Sequence, residues 1–231
     1  VNDASPIMGD DPVFATDLVE YVGQSIFAVA AETIALARKA AALAIIEYEE
    51  LPALINVDQA IAAESFVLPT RTLKRGLSSE ALKAATHKSI GRFELGGQDH
   101  FYLEGHISLA YPKEDGDVYV HCSTQHPTEV QHNVAKFLDV PDHSVTVEVR
   151  RMGGGFGGKE TQGAWFAAIA ALTATTTGRP AKLRLDRDDD MVMTGKRHDF
   201  VIDFEAGYDK NGLISAVEFV FASRCGRSAD L

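Results

Sequence analysis

"SVTVEVRRMGGGFGGKETQGAWFAAIAALTATTTG", residues 144–178, runs three patterns together without a break. Val145, Val147 and Val149 alternate with polar residues, the period of a strand with one buried face. Five glycines then surround a single side chain, Phe156, between Gly153 and Gly158. The apolar, alanine-rich run that follows meets no breaker before Gly178 and Pro180, so a helix closed by those two residues is expected. Strand, glycine loop and helix in succession point to a mixed α/β sheet with helices packed on it.

Working outward, "HKSIGRFELGG" (87–97), "HFYLEGHISLAYP" (100–112), "DVYVHCSTQ" (117–125) and "AKLRLDR" (181–187) read as strands. In "TEVQHNVAKFLDV" (128–140), Val130, Val134, Phe137 and Leu138 share one helical face, and Pro141 is expected to end the helix. "DFVIDFEAGYDKNGLISAVEFVF" (199–221) is two alternating strands around an Asn-Gly turn, a hairpin signal. Toward the N-terminus, "SIFAVA" (25–30) reads as a short buried strand and "AAETIALARKAAALAI" (30–45) as a helix. "IIEYEELPALINVDQAI" (45–61) reads as a strand, a break at Pro52 and a short second element. Residues 62–80 look irregular, and the domain boundary is placed near residue 70, dividing the chain into 1–70 and 71–231.

Composition excludes several functions. The chain has 231 residues, 45% apolar and 24% charged, enough for an ordinary core. A formal net charge of −11 with no basic patch argues against nucleic acid or an anionic membrane as partner. No apolar run approaches the roughly 18 residues that a bilayer-spanning helix needs. Cys122 and Cys225 have no metal-ligand spacing, which fits a cytoplasmic protein without a disulfide framework, zinc site or iron–sulfur centre in this segment. Cys122 alternates with valines and is assigned to the core.

The glycine loop admits several readings. Gly153, Gly155 and Gly158 spell the dinucleotide fingerprint, but they lie past the middle of the chain, where that motif seldom falls. Gly153 to Lys159 also spell a phosphate loop. There the next residue should be Ser or Thr to bind magnesium, and it is Glu160. A plain turn needs one or two glycines; five suggest that backbone must approach something closely.

"RMGGGFGGKE", together with "GGQDHFYLE" (96–104) and "STQ" (123–125), resembles the molybdenum-binding part of the xanthine dehydrogenase and aldehyde oxidase family of molybdenum hydroxylases. "EYEELPALINVDQAI" and "DRDDDMVMTGKRHDF" are similar to that family too, the former to its α/β hammerhead domain. The resemblance covers essentially the whole chain. It implies the C-terminal part of a hammerhead domain over 1–70. The first part of a mixed α/β molybdenum-cofactor-binding domain follows over 71–231.

It further implies a molybdenum–pyranopterin cofactor cradled by the loop. Gln125 and the backbone of Phe156 would form the molybdenum environment, with Gly155 and Gly157 beside them and Gly96, Gly97 and Gln98 toward the pterin. Glu160 stands where xanthine-type members hydrogen-bond a purine and aldehyde oxidases are apolar. A carboxyl group can donate or accept at a purine edge, and a pocket built on such pairing rejects analogues lacking it.

The implied function is a segment of a cytoplasmic, purine-catabolic oxidoreductase hydroxylating hypoxanthine and xanthine to urate with water as oxygen source. Electrons would pass through [2Fe-2S] centres and FAD, on other domains or a second subunit, to NAD. The complete enzyme would be a dimer. The alternatives are an aldehyde or N-heterocycle hydroxylase of the same family, or a dinucleotide-binding domain. A substrate-binding arginine and the general-base glutamate are expected beyond Leu231, so the segment alone is expected to be inactive. Asp188–Asp190 and Arg197–His198 are expected to form salt bridges and turn caps, and His100 to be structural.

Overall fold

The computed structural model describes residues 1–229. In chain order its elements are α1 (Ile34–Ala41), α2 (Val57–Ala62), α3 (Ser78–Ala84), β1 (His87–Leu95), β2 (Ile107–Pro112), β3 (Val118–Cys122), α4 (Pro127–Leu138), β4 (Val145–Glu148), α5 (Gly163–Thr177), β5 (Ala181–Arg184), α6 (Arg187–Met193), β6 (Asp199–Tyr208) and β7 (Ile214–Arg224). They fall into two compact units.

Among the described residues the first unit comprises 1–50, 99–196 and 227–229. Its four-stranded sheet has the order β4-β3-β2-β5, with β3 and β4 parallel and the other pairs antiparallel. The parallel pair needs a crossover, and α4 supplies it. Ala110, Val118, Val120 and Cys122 turn one sheet face into the core, where they meet Val130 and Val134 of α4. Ala164, Ala167, Ala168, Ala171 and Ala174 join them from α5. The small side chains of α5 let its backbone lie close to the sheet, and most of its length is buried.

The end of α4 departs from expectation. The chain leaves the helix at Asp139, in the left-handed region (φ 58, ψ 47), before Pro141 is reached. A short polar side chain tolerates that conformation, so the helix stops there. Gly178 closes α5 in the same way at φ 65.

The N-terminal strands are also corrected. Residues 25–30 and 45–51 form no strand, and Phe27, Ile45 and Ile46 are exposed. An apolar run becomes a strand only against a neighbour. Here, among the described residues, the one ladder-like bond is Ala15 N–H to Ser25 C=O at 2.7 Å. Within 62–80, read as irregular, α3 begins at Ser78.

The second unit comprises Leu51–Gln98 and Arg197–Gly226. Its sheet is antiparallel, in the order β1-β6-β7. The β6–β7 hairpin turns at Asp209–Gly212, with Gly212 at φ 81 and Gly212 N–H bonded to Asp209 C=O at 3.0 Å. One sheet face carries Lys88, Arg92, Glu205 and Glu218 and receives α3, whose Ser78 and Ser79 hydroxyls donate to Glu218 at 2.9 Å. The other face carries Phe93, Leu95, Phe204, Val217, Phe219 and Phe221, and all of these except Phe204 are exposed outright.

Candidate functional site

The glycine loop leaves the end of β4 and enters α5, and its glycines fit the protein's own side chains. A Cβ on Gly153 would fall 2.5 Å from Cγ and Cδ of Glu104. On Gly155 it would meet the Gln125 amide, 2.8 Å from Cδ. On Gly158 it would lie 2.7 Å from both the His100 and Tyr102 rings. Gly153, Gly154 and Gly157 also have φ values of +67°, +94° and +94°, a region that favours glycine. The close approach expected from glycine density is therefore made in large part to Glu104, Gln125, His100 and Tyr102.

What remains outward is the crest. Phe156 has φ 55 and is 77% exposed, and Gly157 beside it is exposed. A phenylalanine held at positive φ with its ring in solvent is strained and apolar at once, a combination that clusters at ligand-contacting sites. The Phe156 N–H has no hydrogen-bond partner among the described residues.

Gln125 holds the crest from below. Its side-chain carbonyl accepts from Gly157 N–H at 2.9 Å and from Lys159 N–H at 3.3 Å. Its own N–H donates to Lys159 C=O at 2.8 Å. The side-chain amide NH2 then faces Glu160 Oε1 at 3.4 Å, a long contact that a better acceptor could displace. Glu160 precedes α5 and is half-buried. Gln125, Gly155, Phe156, Gly157 and Glu160 are thus brought together in the first unit. Gly96, Gly97 and Gln98 belong to the second unit, where Gln98 pairs with Arg197 through N–H···O bonds of 3.1 and 2.9 Å.

Lys159 decides against both phosphate readings. Its side chain is fully buried, with Nζ 2.6 Å from Met152 C=O, 2.7 Å from Glu104 C=O and 2.9 Å from Ser123 Oγ. A phosphate-loop lysine must reach outward, and this one cannot. The amides of Gly157 and Lys159, which a pyrophosphate would need, are taken by Gln125.

Beneath Lys159 lies a polar layer that the sequence did not reveal. Tyr102 has its ring 4.6 Å from Lys159 Nζ and donates its hydroxyl to Asp190 Oδ1 at 2.5 Å. Asp190 also accepts from His106 N–H at 2.7 Å and is 2% exposed. His106 is packed between the Tyr102 and Phe166 rings, with no regular hydrogen bond to either ring nitrogen. Burial pushes its pKa down to about 4; the Asp190 charge opposes this and the Lys159 charge adds to it. Burial likewise lowers the Lys159 ammonium, against the opposing charges of Asp190 and Glu104.

Part of the acidic run behaves as expected. Asp186 caps α6 by accepting from Asp189 N–H at 3.1 Å, and Arg38 bridges Asp186 and Asp189 at 2.8 and 2.6 Å. Asp190 could not be singled out from three consecutive aspartates until the helix phased them. Lys159 gave no signal, because an isolated lysine is exposed by default.

Among the described residues no cluster of three or more His, Cys, Asp or Glu is arranged to hold a metal ion. The crest offers neutral donors instead: the Phe156 N–H and the Gln125 NH2. Such donors suit an electron-rich oxygen ligand of a metal carried by its own organic ligand, so the residues fit a pterin-borne metal.

Residues 62–231 match the molybdopterin cofactor-binding domain family, and residues 2–52 match the aldehyde oxidase and xanthine dehydrogenase a/b hammerhead domain. The chain is 42% identical over 226 residues to a xanthine dehydrogenase/oxidase of Gallus gallus, and 43% identical over 226 residues to that of Mus musculus. In both cases the match covers 97% of this chain and 17% of the relative. Among solved structures, the aldehyde oxidoreductase from Desulfovibrio gigas matches at 25% identity with a TM-score of 0.78. That match covers 94% of this chain and 25% of the other. The chain belongs to the xanthine dehydrogenase and aldehyde oxidase family of molybdenum hydroxylases, as a segment spanning about a sixth of the curated relatives' length. No helix among the described residues is long and apolar enough to cross a membrane.

Proposed function

We propose that this segment forms one wall of the active site of a cytoplasmic purine hydroxylase of the xanthine dehydrogenase type. Residues 1–70 would be hammerhead and 71–231 the start of the cofactor-binding domain. The observation that carries the reading is the meeting of Gln125 and Glu160 at the crest. One amide donor and one carboxylate sit side by side on a loop fixed by its own packing.

The molybdenum–pyranopterin group, when bound, supplies two-electron oxidation of the substrate carbon. The chain's own residues bind and orient. The Gln125 NH2 and the Phe156 N–H would each hold an oxygen ligand of the metal, and the Phe156–Gly157 crest would close that side to water. Gly96, Gly97 and Gln98 would face the pterin. Glu160 hydrogen-bonds the nitrogen and carbonyl edge of the purine and sets its orientation. The general base, [2Fe-2S] centres, FAD and the NAD site are supplied by the rest of a dimeric enzyme.

Support comes from Glu160 itself, since a pocket for apolar aldehydes has no use for a half-buried carboxylate. In the complete enzyme, Glu160→Ala is expected to lose most purine turnover while keeping its molybdenum. Unchanged purine kinetics would remove Glu160 from the site. A panel of purines, aldehydes and N-heterocycles separates this reading from hydroxylases of other substrates in the family.

A further inference from the structure

Lys159 stands between the crest and the core, and both its main chain and its side chain are engaged. Its N–H donates to Gln125 Oε1, and its C=O accepts from Gln125 N–H and from Thr124 Oγ1 at 3.1 Å. Its ammonium has three hydrogens and three acceptors. Those acceptors come from three places in the chain: Glu104, Ser123 just past β3, and Met152 at the loop's entry. On another side the ammonium lies over the Tyr102 ring, whose hydroxyl is held by Asp190. A cation on an aromatic face is stabilised further when water is excluded.

We propose that Lys159 is a positioning residue: its buried ammonium ties Glu104, Ser123 and Met152 into one node that fixes the Phe156–Gly157 crest against Gln125 and Glu160. The node does this because its acceptors come from three chain segments, two of which, Ser123 Oγ and Met152 C=O, also bond each other at 2.9 Å. Removing the ammonium takes its hydrogens from Glu104 C=O and Ser123 Oγ and leaves Met152 C=O with the Ser123 hydroxyl alone, and the freed acceptors would seek water by opening the loop. A guanidinium keeps the charge, but its planar fork cannot point three hydrogens from one nitrogen at three converging acceptors. The inference rests on the proposed function only in taking the crest as the ligand-facing surface.

The test uses the complete enzyme with Lys159→Met and Lys159→Arg, read by amide hydrogen exchange of peptides covering 152–161, β3 and α5. Each peptide is compared with wild type. Loop exchange is expected to rise about tenfold in Lys159→Met and at least about threefold in Lys159→Arg, with α5 and β3 within about twofold. Where Lys159→Met does not fold, Lys159→Arg carries the comparison. Loop exchange within about twofold of wild type, or equal acceleration of loop and α5, overturns the proposal. Molybdenum content and the kcat–KM split for a purine are measured on the same samples. A wild-type enzyme without molybdenum or purine turnover sinks the functional reading, while the exchange data still decide the role of Lys159.

Discussion

Replacing Gly155 by alanine puts a methyl group 2.8 Å from Cδ of Gln125 and closer still to its Oε1. Gly155 is absent from the positive-φ residues, so alanine meets no backbone penalty there and the effect is purely one of space. The Gln125 amide must swing away, releasing the Gly157 and Lys159 N–H bonds. Two such bonds contribute about 1–3 kcal/mol net. Loss of glycine's freedom in the unfolded chain returns about 0.4–1 kcal/mol. Mid-range values leave a destabilisation of about 1.3 kcal/mol. With m near 2 kcal/mol/M, the urea midpoint of this chain is expected to fall by roughly 0.5–1 M. The single tryptophan, Trp165, lies just after the loop and reports the transition. The control is the same change on a Gln125→Ala background, where only the unfolded-chain gain remains and a stabilisation of about 0.4–1 kcal/mol is expected. An unchanged midpoint in Gly155→Ala, or an equal loss in both backgrounds, would refute the interlock between Gly155 and Gln125.

Asp190→Asn keeps the shape but removes the buried charge that faces Tyr102, His106 N–H and Lys159; a loss of about 3 kcal/mol is expected in chemical denaturation. His106 sets an acid limb. Its folded pKa of about 4 lies below the 6.5 of the exposed ring, so the unfolded chain binds the extra proton first. Stability is then lost as pH falls from 6.5 to about 4, by up to about 1.4 kcal/mol per pH unit. His106→Phe is expected to flatten that limb, and an unaltered slope in pH-dependent unfolding would count against it. The two thiols should separate under iodoacetamide at pH 8. Burial pushes Cys122 up to about 11, so it should stay unlabelled until unfolding, while the partly exposed Cys225 reacts. Peptide mapping reads the difference.

Much of the sheet was legible because alternation and helical spacing survive wherever one face is buried. Strands β3 and β4 and helix α4 carried that signature, the β6–β7 hairpin was marked by its Asn211-Gly212 turn, and α5 was read from an unbroken alanine-rich run. The apolar run at 25–30 was misleading, since composition cannot say whether a pairing neighbour is present. Helix α3 was hidden because Ser78-Ser79 closed the stretch read as irregular, although good helix formers follow.

At the site, the glycine run, Gln125 and Glu160 were visible as a motif, and the geometry brings them together. What could not be read was the layer underneath. Lys159 and Asp190 are charged residues of types that normally face water, and only folding reveals that they are buried with partners from distant segments. His106 looked like any strand-entry histidine until the Tyr102 and Phe166 rings closed on it.

The fit of Gly153 to Glu104, Gly155 to Gln125 and Gly158 to His100 and Tyr102 bears on protein engineering. A loop that looks like a self-contained ligand cradle is half of a lock whose other half lies 30 to 60 positions earlier in the chain, at about 100–104 and 125. Grafted alone onto another strand–loop–helix scaffold, the ten residues from Arg151 to Glu160 would arrive without the side chains that make their glycines necessary, and would collapse into some other turn. A transplant has to carry "HFYLE" and "STQ" with it, at their original spacing from the loop, before the crest can stand.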